Sequence, residues 1–78
     1  MDRAKKLLGQ RIRQVRRTKN LTQSDLAEKI GFSVNYISQI ETGIASPTFE
    51  TVVKVADGLE VQLKELFDFD LLNEKDKH

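Results

Sequence analysis

The sequence predicts a single all-α domain of five helices, and three observations support this. Seventy-eight residues with 38% hydrophobic content can enclose one small core. Apolar residues recur at intervals of three and four, which is the period of a helix. Residue types that begin helices and glycines that end them lie between the apolar segments. The predicted N-caps are Thr22, Ser33 and Thr48, and the glycines at helix ends are Gly31 and Gly43.

The first helix is predicted over residues 3–19. Arg13 and Arg17 are expected to face solvent, with Arg16 at the edge of the apolar stripe. Asn20 breaks the pattern after the helix. The stripe itself consists of Leu8, Ile12 and Val15.

A second helix is predicted to begin after Thr22, with Asp25 completing a capping box. Leu26 and Ile30 form its inner face. Gly31 suits the left-handed conformation that ends a helix, and the third helix is expected to follow after only about three residues.

Two helices joined by so short a turn must cross steeply, which requires small residues such as Ala27 and Gly31. At 100° per residue, the third helix has one apolar side and one polar side. The expected inner residues are Val34, Ile37, Ile40 and Glu41, and the expected outer residues are Asn35, Gln39 and Thr42.

Gly43 and Pro47 bracket the connection to a fourth helix, which Thr48 caps. The domain is expected to span residues 1–68, and residues 69–78 form a short tail. The core continues in the fourth helix with Phe49, Val52, Val55, Ala56 and Leu59, and in a short fifth helix with Leu63, Leu66 and Phe67.

The outer amides of the third helix suggest a function. Asn and Gln pair a donor with an acceptor that match adenine N7 and N6 in the major groove of DNA. A spacing of four places Asn35 and Gln39 on one exposed stripe. This stripe is either a base-reading face or an ordinary polar surface.

The sequence from Leu21 to Val61, within residues 8–67, resembles the lambda-repressor-like helix-turn-helix (XRE) family of transcriptional regulators. This resemblance implies a five-helix DNA-binding domain whose second and third helices form the motif, with the third in the major groove. It also implies base reading by Ser33, Val34, Asn35 and Gln39. The matching positions are Arg16, Leu21, Gln23, Leu26, Ala27, Gly31, Ile37, Ser38, Ile40, Glu41, Gly43, Pro47 and Leu59.

The resemblance further implies that Gln23 and Thr42 hold phosphates. The unpaired amides at the start of the second helix give the Gln23 assignment an independent basis. Tyr36 and Ser38 flank the reading face, where each either packs against the protein or contacts phosphate. Arg17 supplies an exposed cation.

Glu41 is unusual on the inner face, because a carboxylate beside Ile37 and Ile40 is costly unless it is paired. Arg16 is the expected partner. Proteins of this family commonly join an Arg and a Glu at these positions, so we interpret the pair as structural. The alternative is that both charges reach solvent.

Charge divides unevenly along the chain: residues 1–20 carry +7, residues 21–49 carry −2 and residues 50–78 carry −4. A basic first helix suits a face turned toward phosphate, although it also suits a solvated surface. The stretch from Ser33 to Glu50 has no basic residue, unlike many members of the family. Cations must therefore come from a second subunit or from Arg11, Arg13, Arg17, Lys19 and Lys29.

Two other departures from the family pattern are Glu60, where a glycine is frequent, and Gln62, where a capping Ser is frequent. The fifth helix is therefore expected to fray. The tail region is more apolar than a small domain easily buries, which favours a homodimer on an inverted-repeat operator. The expected interface residues are Phe67, Phe69, Leu71 and Leu72, which would otherwise fold back over their own core.

Several classes of function are excluded or weakened. With no cysteine and a single histidine, His78, we expect no metal site, no cofactor and no catalytic residue. Apolar stretches reach only two residues, so we expect no signal peptide or membrane span and a cytoplasmic location. No small-molecule ligand is inferred. The leading interpretation is an operator-binding regulator of phage, restriction-modification or antitoxin type; the alternative is a protein-interaction adaptor.

Overall fold

The structure, a computed structural model, describes residues 2–74 and is all-α there, which confirms the predicted fold class. Six helices follow one another, of which the first four are long. They are α1 (Asp2–Thr18), α2 (Gln23–Ile30), α3 (Val34–Thr42), α4 (Phe49–Leu59), α5 (Leu63–Leu66) and α6 (Asp70–Glu74). The expectations for residues 75–78 lie outside the described residues.

The predicted caps form as expected. The Thr22 hydroxyl accepts from the Asp25 amide, and the Asp25 carboxylate accepts from the Thr22 amide, each at 2.9 Å. The Ser33 and Thr48 hydroxyls likewise accept from the third amide of α3 and of α4, without the reciprocal bond of the capping box. Gly31, with φ 76°, ends α2 in the left-handed conformation. Local side-chain chemistry therefore defines the ends of the central helices.

Helix α1 packs against α3, α4, α5 and α6, while α2 packs against α3 and α4. One core lies between these helices and includes residues from each of α1 to α5. Its buried apolar members are Leu8, Ile12, Val15, Leu26, Ala27, Ile37, Ile40, Val52, Val55, Ala56, Leu59 and Leu66.

Three residues expected in the core are exposed instead: Phe67, which follows α5 and is 46% exposed, and two residues at helix starts. Phe49 is 68% exposed and Val34 is 43% exposed. Each is the first residue of its helix, and a helical side chain leans toward the N-terminus. Both side chains therefore extend beyond the end of the helix, where the periodicity no longer predicts burial.

Close helix packing depends on two glycines that the sequence analysis did not identify. A Cβ on Gly9 would lie 2.3 Å from the Ile40 carbonyl oxygen, and one on Gly58 would lie 2.5 Å from Ile30 Cγ2. Gly9 therefore lets α1 approach the backbone of α3, and Gly58 lets α4 approach α2.

The tail also differs from the expectation, because α6 occupies residues assigned to it. Helix α6 contacts α1, and Leu71 and Leu72 are half-buried. Phe69 packs at the edge of the core. The apolar character of this segment stabilises a sixth helix within the chain. Within residues 2–74, no helix is long and apolar enough to cross a membrane.

Candidate nucleic-acid interface

The connection between α2 and α3 consists of Gly31, Phe32 and Ser33. The Phe32 amide donates to the Ala27 carbonyl at 2.9 Å, which closes the end of α2. The Ser33 hydroxyl then accepts from the Tyr36 amide at 3.0 Å, which opens α3. Both sides of this three-residue turn are therefore fixed by hydrogen bonds, and the start of α3 is presented at the surface.

The exposed side of α3, together with the N-cap residue before it, carries the four residues expected to read bases. Ser33, Val34 and Asn35 are exposed, and Gln39 is half-buried. In the part of the chain that the structure describes, neither the Asn35 nor the Gln39 carboxamide hydrogen-bonds to another group. Both amides are available to a ligand.

The opposite side of α3 holds a buried ion pair. Glu41 is 3% exposed, and Arg16 is 7% exposed. Arg16 donates to the carboxylate through Nε at 2.7 Å and through Nη2 at 3.1 Å, a bidentate geometry. Arg16 Nη1 also donates to the Leu21 carbonyl at 2.7 Å. The two predicted partners therefore meet inside the protein.

The residues expected to hold phosphates differ in availability. Gln23 is half-buried, and its Nε2 donates to Glu41 Oε1 at 3.0 Å, a contact that the sequence analysis missed. The exposed Thr42 donates its hydroxyl hydrogen to the Ser38 carbonyl at 2.9 Å. Because a phosphate accepts and does not donate, Thr42 would have to rotate its side chain to bind one.

Tyr36 and Ser38 are both half-buried beside the exposed face of α3. The Tyr36 ring packs edge-on against Phe32, with a centroid distance of 5.4 Å and an interplanar angle of 73°. Lys54 Nζ lies 5.7 Å from the centroid of the Phe32 ring. Packing therefore fixes the Tyr36 ring at the start of α3, which is compatible with a phosphate contact through its hydroxyl.

One of the basic residues expected to be available to phosphate, Arg11, is buried instead. Arg11 is 7% exposed: its Nε donates to the Glu65 carbonyl at 2.7 Å, and its Nη1 donates to Gln14. It ties α1 to the end of α5 and is not available to phosphate. Its spacing from Leu8 and Ile12 places it on the apolar stripe of α1, a signal that could have predicted its burial.

The remaining basic residues of this set are at the surface. Arg13 and Arg17 are exposed in the C-terminal half of α1, and Lys19 is exposed just after this helix ends. Lys29 is also exposed, and its Nζ lies 3.4 Å from Glu60 Oε2. A surface pair of this kind contributes little to stability, so Lys29 can exchange its partner.

The expected dimer residues are only partly accessible. Phe67 is 46% exposed. Phe69, Leu71 and Leu72 are half-buried, and the rings of Phe67 and Phe69 lie 6.3 Å apart. The chain therefore covers much of this apolar segment itself, and Phe67 is its most accessible member.

Fold and site together define a helix-turn-helix protein: two helices joined by a capped three-residue turn, the second with an exposed polar face. The sequence model of the family HTH_3, helix-turn-helix, matches residues 12–66. This chain belongs to that family.

Two relatives and one solved structure illustrate the similarity. The chain is 39% identical over 59 residues to the cryptic phage CTXphi transcriptional repressor RstR of Vibrio cholerae, covering 76% of this chain and 53% of that protein. This chain thus spans about half the length of RstR. It is 39% identical over 64 residues to the control protein C.BamHI of Bacillus amyloliquefaciens, covering 81% of this chain and 79% of that protein.

The solved structure is the restriction-modification controller protein C.Esp1396I, a tetramer in complex with its natural 35 base-pair operator. It shares 30% identity and a TM-score of 0.70, covering 81% of this chain and 93% of that chain.

Proposed function

We propose that this chain is a sequence-specific DNA-binding transcriptional regulator that occupies an operator with α3 in the major groove. The observation that carries the proposal is the exposed face of α3, where the carboxamides of Asn35 and Gln39 have no partner among the described residues. Relatives that are a phage repressor and restriction-modification controllers support the same class of function. In this proposal the regulator acts in the cytoplasm.

The site divides into residues that read bases and residues that hold the backbone. Ser33, Val34, Asn35 and Gln39 would contact base edges. Phosphate contacts would fix the register of α3 without specifying sequence. The proposed phosphate-binding residues are Gln23, Tyr36, Ser38, Thr42 and Arg17.

The active species in this proposal is a homodimer. A dimer would place two copies of α3 about 34 Å apart, one helical turn of DNA, and would bind an inverted repeat. Phe67 would lie at the centre of the interface, with contributions from Phe69, Leu71 and Leu72. The C.Esp1396I tetramer on its operator supports assembly of such domains on DNA.

The test is selection of bound sequences from a random duplex pool. We expect the wild-type chain to enrich an inverted repeat. Asn35→Ala should lose discrimination between bases at one position of each half-site, and Gln39→Ala at another. Each loss should amount to about 1–3 kcal/mol of binding free energy. Gln62→Ala, which truncates an exposed amide at the start of α5, is the matched control and should leave the selected sequence unchanged. No enrichment, with neither alanine variant altering binding, would favour the adaptor function.

Sedimentation equilibrium of Phe67→Ser tests the dimer separately. We expect the wild-type chain to dimerise and the variant to shift toward monomer, because the exposed ring supplies apolar area to the interface. An unchanged association constant would exclude Phe67 from the interface while leaving the DNA-binding proposal intact.

A further inference from the structure

Glu41 makes one contact that neither the ion pair nor base reading explains. Its Oε1 accepts from Gln23 Nε2 at 3.0 Å, in addition to Arg16 Nη2 at 3.1 Å. Arg16 belongs to α1, Gln23 is the first residue of α2, and Glu41 lies near the end of α3. A single buried carboxylate therefore joins three helices.

The chemistry of this contact orients the Gln23 carboxamide. An ionised carboxylate accepts hydrogen bonds and cannot donate them, so the carboxamide must turn its nitrogen, and not its oxygen, toward Glu41. One N–H of Nε2 is engaged, and the other remains available. The half-buried Gln23 side chain is thus held in one orientation before any ligand arrives.

We propose that Glu41 is a positioning residue for DNA binding, and that it acts by directing the free N–H of Gln23 toward a backbone phosphate. This inference rests on the proposed function. The backbone amides at the start of α2 lie beside Gln23 and add partial positive charge at the same end. Arg16 fixes the approach to this end through the Leu21 carbonyl. Preorganisation removes the conformational entropy that a freely rotating Gln would lose on binding.

A double-mutant cycle in DNA affinity tests the proposal on the duplex that the wild-type chain selects. Gln23→Ala should weaken binding about tenfold, through the loss of one hydrogen bond to a charged group. Glu41→Gln should weaken DNA binding by the wild-type chain by a similar factor, because the single oxygen of the new carboxamide turns to the charged Arg16 and its N–H groups face Gln23. The same substitution should change the affinity of the Gln23→Ala variant less than about twofold. If Glu41 supported only the fold, Glu41→Gln would weaken DNA binding by the same factor in the wild-type chain and in Gln23→Ala. That result would overturn the proposal.

Replacing single phosphates by uncharged methylphosphonate supplies an independent measurement. At least one replacement should lower the DNA affinity of the wild-type chain while leaving the affinities of Gln23→Ala and Glu41→Gln almost unchanged. Glu28→Gln, which neutralises an exposed carboxylate on α2, is the matched control and should retain wild-type sensitivity. Retained sensitivity in Glu41→Gln would overturn the proposal.

Circular dichroism and thermal melting establish that each variant is folded at the assay temperature. If Glu41→Gln does not fold, Glu41→Asp replaces it, because it keeps the charge and withdraws the carboxylate by one methylene. The same loss of coupling to Gln23 is expected. Failure of the wild-type chain to select any duplex overturns the proposed function as well, whereas equal effects in both backgrounds overturn only the role of Glu41.

Discussion

Glu41 shows at the scale of one residue how a charge is accommodated inside a small core. Its carboxylate accepts from Arg16 and from Gln23, and no described buried polar side-chain atom lacks a partner. Removing one member of such a group leaves the others buried without compensation. The burial of the carboxylate therefore makes its removal more costly than that of a surface charge.

Glu41→Ala should lower the free energy of unfolding by about 3–5 kcal/mol, since the guanidinium of Arg16 then lacks its partner. Urea denaturation followed by circular dichroism measures the change. Glu28→Ala removes an exposed carboxylate and should change the free energy of unfolding by at most about 0.5 kcal/mol. A loss below about 1 kcal/mol for Glu41→Ala would contradict the buried pair.

Asp25 gives the start of α2 a pH dependence. The Thr22 backbone N–H, which donates to the Asp25 carboxylate, and secondarily the Thr22 side chain lower the pKa of Asp25 below its ordinary value. A carboxyl group whose pKa is lower in the folded chain stabilises the fold above its unfolded pKa, and this contribution is lost as pH falls through the folded pKa.

Asp25→Asn should therefore reduce the loss of stability between pH 7 and about pH 3, because one carboxylate that favours the folded state is gone. Thermal melting at the two pH values measures the difference. Ser24→Ala, at a neighbouring exposed position that does not titrate, should retain the wild-type loss. An identical loss in Asp25→Asn would show that the capping box contributes nothing to acid sensitivity.

At the scale of helices, the junction between α4 and α5 is conformationally strained. Glu60 follows α4 in the left-handed conformation, with φ 60°, which costs an L-residue with a Cβ about 1–2 kcal/mol. Helix α5 then begins at Leu63 with a weak cap: the Gln62 side chain makes no capping hydrogen bond, while the Glu65 carboxylate accepts from the Gln62 amide at 3.3 Å.

Glu60→Gly should raise the free energy of unfolding by about 1 kcal/mol, because glycine adopts this conformation without the steric cost. The exposed contact with Lys29 is lost as well, but a pair of this kind contributes little. Glu60→Ala removes the same contact and keeps the Cβ, so it should not stabilise the chain. Denaturant unfolding of the two variants separates the effects, and equal stability would argue against strain at this position.

The sequence predicts these helices where local chemistry determines them. Thr22, Ser33 and Gly31 act on the backbone within a few residues, so their roles follow from their positions. Two contacts could not be predicted in this way, because both depend on how α3 lies against α1 and α2. They are the hydrogen bond from the Gln23 carboxamide to Glu41 and the close approach of α1 to α3 at Gly9. Periodicity also failed at helix starts such as Val34 and Phe49.

At the scale of the whole molecule, the fold makes fewer cations available than the sequence suggests. Of the eight basic residues within residues 1–20, Arg11 and Arg16 are buried and engaged in hydrogen bonds. Arg13, Arg17 and Lys19 remain exposed toward the end of α1. Since α3 carries no basic residue, the electrostatic part of DNA binding must come mainly from this group and from Lys29, which is exposed on α2.

The salt dependence of DNA binding should therefore be shallow. Four cations per subunit, with Lys29 included, neutralise about eight phosphates in a dimer, and at about −0.9 per phosphate the slope of log K against log salt is about −7. Fluorescence anisotropy on the selected duplex between about 50 and 200 mM salt measures this slope. A slope steeper than about −8 would show that further cations take part.

Arg17→Ala should make the slope shallower by about 2 per dimer. Asn35→Ala should weaken binding without changing the slope, because only contacts to phosphate release counterions.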